Sequence, residues 1–168
     1  MISAGLIKNK YEVKIFFLLI IILFSCTSNT LFEKNCDIYN SSWNKKELIS
    51  FEVPINDTTS HYNFFINVRN NTDYDFCNLY LFMNTIYPDK QVSKDTIECL
   101  IADSKGKWFG KGWGKYRFIS LLLGKGIQFP QKGTYIFEFE QAMRKDTLEN
   151  IAALGIKIEK TSLSDKND

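Results

Sequence analysis

Along most of this chain apolar side chains recur at every second position, the pattern of a strand with one buried face. In "ISFEVPI", Ile49, Phe51, Val53 and Ile55 fall on one face, and in "NFFINVRN", Phe64, Ile66 and Val68 oppose Asn63, Asn67 and Arg69. "FCNLYLFM", Phe76 to Met83, is apolar on both faces except at Asn78, as a central strand would be. "DTIECLIA" puts Ile97, Cys99 and Ile101 together. "GTYIFEFE" sets Tyr135, Phe137 and Phe139 against Glu138 and Glu140, and "ALGIKIEK" turns Leu154, Ile156 and Ile158 inward. Turn signals such as "INDTTSH", "NNTDYD", "YPDK" and "FPQKG" separate these runs. The expectation is a mainly β fold, a single antiparallel β-sandwich, jelly-roll-like or Ig-like. One segment, Glu140–Ala153, reads as a short helix or turn before the last strand.

The N-terminus follows another rule. An uninterrupted apolar run from Ile15 to Phe24 ends in Ser25-Cys26. Its ten residues are about half the roughly 20 that a membrane-crossing helix needs. Lys8, Lys10 and Lys14 precede it, as in the basic flank of an export signal. Leu23 at −3, the small Ser25 at −1 and then Cys26 resemble a bacterial lipobox. The Cys26 thiolate is the nucleophile able to take a diacylglyceryl group, and acyl chains such as palmitate add about 0.8 kcal/mol of anchoring per buried CH₂. The expected division is a lipoprotein signal peptide over 1–25, a lipidated N-terminus and tether over 26–45, a β-sandwich over 46–160 and a polar tail over 161–168. The protein is then expected in the cell envelope, held through Cys26 on the periplasmic side of the inner or outer membrane.

The signal also accounts for the charge. The whole chain carries a formal +2, and the excess of Lys8, Lys10 and Lys14 over Glu12 supplies it. The mature part is near neutral and has no electrostatic footprint for nucleic acid. With 45% hydrophobic and 15% aromatic residues it has ample material for a core. Cysteines 36, 77 and 99 are odd in number and lack CxxC spacing, so neither a metal nor a redox site is indicated. Cys77 and Cys99 could form a disulfide if they face each other, or remain two buried free thiols.

Catalytic signals are missing. His61 is the one histidine and has no visible nucleophile or metal partners, and Glu138 and Glu140 lie on an outward face. No catalytic residue and no cofactor is assigned. The most unusual stretch is "DSKGKWFGKGWGKYRF", Asp103 to Phe118, in which glycines and lysines interleave with Trp108, Phe109 and Trp113. It lacks the GK[ST] ending of a phosphate loop. Flat aromatics on a Gly-rich loop with a lysine rim suit a partner or glycan surface, or else they cap the end of the sandwich. Asp-Thr followed by Thr, Ile or Leu, at Thr58, Thr96 and Thr147, resembles the O-glycosylation sequon of exported Bacteroidota proteins.

Several blocks together resemble a known family. "NSSWNKKELISFEV", "YNFFINVRNNTDYDFCNLYLF", "DSKGKWFGKGWG", "FPQKGTYIFEFEQAMR" and "IAALGIKIEK", in that order after a lipobox, are similar to the gliding motility lipoprotein GldH family. The resemblance implies a membrane-anchored, non-enzymatic accessory or scaffold of the gliding and type IX secretion machinery, with envelope proteins of that apparatus as partners. Its sole transferable residue role is that of Cys26. The competing reading is an envelope glycan-binding lipoprotein in which Trp108 and Trp113 stack on sugars.

Overall fold

The computed structural model describes residues 29–161. Ten strands cover most of them: β1 (Thr30–Asp37), β2 (Ser42–Asn44), β3 (Ile49–Ile55), β4 (Tyr62–Asn71), β5 (Asn78–Ile86), β6 (Val92–Leu100), β7 (Tyr116–Ile127), β8 (Gly133–Gln141), β9 (Thr147–Glu149) and β10 (Ile151–Lys160). A single 3-10 turn, Tyr39–Ser41, lies between β1 and β2.

Two four-stranded sheets, in the orders β1-β10-β4-β7 and β3-β8-β5-β6, make the sandwich, and β2 pairs with β9 in a short ribbon. All pairings are antiparallel. Among the eight long strands, the first pairs with the eighth, the second with the seventh, the third with the sixth and the fourth with the fifth. That nesting is one long hairpin rolled on itself, a jelly roll, and it decides against the Ig-like alternative.

The alternation builds the core as expected. Phe51, Val53 and Ile55 of β3 are buried, as are Tyr135, Phe137 and Phe139 of β8. They meet Phe64, Ile66 and Val68 of β4 and Leu154, Ile156 and Ile158 of β10 from the facing sheet. Phe64 and Phe137 touch across the gap with ring centroids 5.0 Å apart.

Three expectations are corrected. The segment Glu140–Ala153 is not helical: it ends β8, turns, forms β9 and begins β10. Gln141 is buried, and its amide donates to the Lys145 carbonyl at 2.9 Å, which ties the turn in an extended frame. The folded domain also begins earlier than residue 46. Thr30–Asp37 pairs along the length of β10, and the Trp43 strand pairs with Leu148, so most of the 26–45 stretch belongs to the sandwich. Of the polar tail, 162–168 lies outside the described residues, as do the signal peptide and Cys26. Asn63 and Asn67 point away from the core but are buried, because neighbours on the outer sheet face cover them. The Asn67 side-chain amide donates to Asn35 Oδ1 at 3.5 Å, and Asn63 Oδ1 accepts the Gly126 N–H at 3.0 Å.

Candidate functional site

The strand registers separate the two ends of the sandwich. Thr30 pairs with Glu159, Lys160 with Tyr62, and Tyr62 with Ile127, so these residues share one end. Asp37, Ala153, Arg69 and Phe118 lie toward the other. The Gly-rich segment 103–115 runs from β6 into the start of β7 and therefore belongs to the end opposite Thr30.

Its conformation follows from its residues. The Asp103 carboxylate accepts the N–H groups of Lys105 and Lys107 at 2.9 and 2.8 Å, and the Gly106 N–H reaches the Asp103 carbonyl. Gly106 takes φ +79°, the left-handed region where a side chain is costly. The Phe109 N–H donates to Ile101, which holds Trp108 half-buried against the core. The chain then folds back on β7: Lys111 and Phe118 exchange both backbone hydrogen bonds, at 2.9 and 2.8 Å. Gly112 sits so close to the Tyr116 carbonyl that a Cβ has no room. Arg117 donates to the carbonyls of Gly114 and Tyr116, both at 2.8 Å.

The loop's three aromatics divide accordingly. Trp108 is a packing residue, while Phe109 is 54% exposed and Trp113 is 96% exposed. Tyr116, Phe118 and Leu122 continue this apolar surface along β7. Trp43, which carries no weight in the sequence reading, is fully buried, and its indole N–H donates to the Glu47 carbonyl at 2.9 Å. Its place in the core was legible only in its opposition to Leu148 across the β2–β9 ribbon.

Beneath the β7 edge the sheets part into a cleft of about 320 Å³. Leu123, Gly124 and Ile127 of β7 form one wall, and Met83 and Thr85 of β5 with Asp95 of β6 form the other. Phe129 and Tyr135, with centroids 5.0 Å apart, close its base. This cleft had no signal in the sequence, since its walls come from strands distant in the chain.

The remaining candidates are dispersed. Thr58 is half-buried in a turn organised by Asp57, Thr96 is exposed on the outer face of β6, and the Thr147 hydroxyl accepts from Asn44 at 3.2 Å. Asp57 accepts from Ser60 at 2.6 Å and Lys160 at 2.8 Å, and these partners, Lys160 foremost, hold its carboxyl well below the usual range. Cys36, Cys77 and Cys99 are free: Cys77 is exposed, whereas burial pushes the Cys99 thiol up to about 12. The disulfide considered for Cys77 and Cys99 is not formed. Leu79, not Cys77, stands opposite Cys99 in the β5–β6 register. His61 is exposed, and no cluster of His, Cys, Asp and Glu suited to a metal occurs among the described residues. Nor is any helix among them long and apolar enough to cross a membrane.

Comparison with known proteins places this architecture. The family described as "GldH lipoprotein" matches residues 30–158, the extent of the jelly roll almost to its last residues. The "Gliding motility lipoprotein GldH homolog" of Christiangramia forsetii is 33% identical over 161 residues, covering 92% of this chain and 98% of that protein. The "Gliding motility lipoprotein GldH" of Flavobacterium johnsoniae is 32% identical over 146 residues, covering 83% of this chain and 90% of its own. Among solved structures, the PRD1 vertex protein P5 matches at a TM-score of 0.41 and 14% identity, covering 82% of this chain and 100% of that one. A likeness at that score carries no argument, whereas the two sequence matches span nearly the whole fold. The chain belongs to the GldH lipoprotein family.

Proposed function

We propose that the protein is a lipid-anchored, non-enzymatic accessory or scaffold component of the gliding motility and type IX secretion machinery. The observation that carries this reading is the family match over the whole jelly roll, with a lipobox cysteine four residues before its first strand. Four residues reach at most about 14 Å, so acyl chains on Cys26 would hold the Thr30 end close to a membrane. The ten residues of β4 span about 30 Å, which sets the Trp113 loop toward the far side, facing envelope partners rather than the anchoring bilayer. Deleting the gene should abolish gliding or secretion of exported adhesins and hydrolases. Unimpaired motility and secretion would refute the role. Replacing Cys26→Ser should yield an unprocessed precursor without lipid, and a normally processed, membrane-bound product would refute the anchor. O-glycosylation at Thr58, Thr96 or Thr147 belongs to the same proposal, with the added hexose read by intact-mass analysis.

The nearly complete exposure of Trp113 favours a second reading, an envelope glycan-binding lipoprotein. Tryptophan fluorescence that does not respond to envelope polysaccharides would count against it.

A further inference from the structure

The four outer strands of the two sheets are not equally protected. A bare edge invites pairing, and proteins guard edges with charges, proline or bulges. β3 carries Glu52 and Pro54, β1 carries Glu33 and Lys34, and β6 carries Lys94, Asp95 and Glu98. The central run of β7, Ile119 to Leu122, has neither charge nor proline and keeps a regular register with β4, the shifts beginning only past Leu122. Lys111 covers this edge at Phe118 alone. Because outward-facing backbone groups recur at every second residue, Ser120 and Leu122 present their N–H and C=O in the same direction as Phe118.

Two further features qualify the edge as a receiving one. The mainly apolar cleft opens at the Leu123 end of this run, between β7 and the β5–β6 side of the other sheet. A strand added to β7 would turn alternate side chains into that cleft, so backbone bonds would supply affinity and the cleft selectivity. The β7 side of the border is also cationic: no Asp or Glu occurs from Ser104 to Phe137, and Lys111, Lys115, Arg117 and Lys125 flank the open stretch, while Asp95 is the one acid on the facing wall of the cleft. A second copy, cationic at both ends of its own β7, lacks the acidic complement to this border. Antiparallel pairing of two β7 strands about Leu121 would set Arg117 of one against Lys125 of the other, like charges directly opposite.

We propose that β7 receives a strand from another envelope protein, an extended segment with apolar side chains toward the cleft and acidic residues at its ends. This deepens the accessory reading above, on which it rests for the existence of a protein partner. The test places a photo-crosslinking residue at Ser120 or Leu122 in the full lipidated chain in living cells, with Glu33 and Lys94 as control positions. Adducts are expected from the two β7 positions only. Their attachment points should lie two residues apart in one segment of one partner, with Asp or Glu on either side. Ser120→Pro removes an outward N–H while sparing the β4 ladder, and should cut the Leu122 adduct at least tenfold at unchanged melting temperature. Leu122→Glu, which leaves every backbone bond in place, should do the same to the Ser120 adduct. Adducts solely with a second copy, equal yields from β1 or β6, an attachment segment without acids, or no adduct at all would overturn the proposal. If Ser120→Pro cells glide and secrete normally while deletion cells do not, the edge is refuted and the accessory role stands. A registered adduct in an organism indifferent to deletion would uphold the edge and refute the role.

Discussion

Trp43, Trp108 and Trp113 are the same residue in three situations, and only their neighbours distinguish them. Trp43 is fully enclosed, so Trp43→Ala should destabilise the domain by about 3–5 kcal/mol in urea unfolding. Trp113→Ala removes a side chain that touches little and should shift stability by less than about 0.5 kcal/mol. The cysteines divide in the same way. With its thiol pushed up to about 12 by burial, Cys99 stays protonated and shielded. Brief alkylation of the folded protein followed by mass spectrometry should label Cys77 and leave Cys99 unmodified. Asp57 adds a pH dependence. Its carboxyl is held below the usual range chiefly by Lys160, so folding favours its ionised form. That contribution is present above the unfolded carboxylate pKa and fades as pH falls below it. Asp57→Asn should therefore flatten the acid side of the stability–pH curve and leave the neutral side less stable than wild type. The ordered "TTS" turn was legible as a polar loop, but not its ion pair with a lysine at the other end of the chain.

At the scale of elements, clean alternation was a good guide and its absence was not. β3, β8 and β10 show one apolar face in the sequence and bury that face in the fold. β7 shows no clear period because "FISLLL" is apolar at nearly every position, its outward Phe118 and Leu122 included. β1 shows no period because Lys34 interrupts the Phe32–Cys36 face and a register shift lies between Thr30 and Phe32. The supposed helix over Glu140–Ala153 has good helix formers, yet tertiary pairing overrode propensity. Asn150, at φ +70°, provides the sharp turn between β9 and β10. In the Gly-rich loop the decisive element is backbone contact. Gly112→Ala would drive a Cβ into the Tyr116 carbonyl, and should release the loop from β7 and lower the melting temperature, whereas Trp113→Ala should not.

For the molecule as a whole, the rolled-hairpin topology joins the first strand to the last, so its native contacts are mostly distant in sequence. Closing such loops precedes any reward from pairing, and refolding of the mature domain is expected on the millisecond-to-second scale in stopped-flow fluorescence. The same topology places the chain's entry point and its aromatic loop at opposite ends, although both flank the same sheet. By itself the sequence determined that the chain would fold as antiparallel strands and which faces of β3, β8 and β10 would be apolar, because those properties depend on neighbours within a few positions. The tertiary structure alone decided the jelly-roll pairing, which tryptophan is enclosed, which sheet edge lies open and that a cleft adjoins it. Each of those depends on residues from distant strands meeting in space, and no local period encodes which strand will be its neighbour.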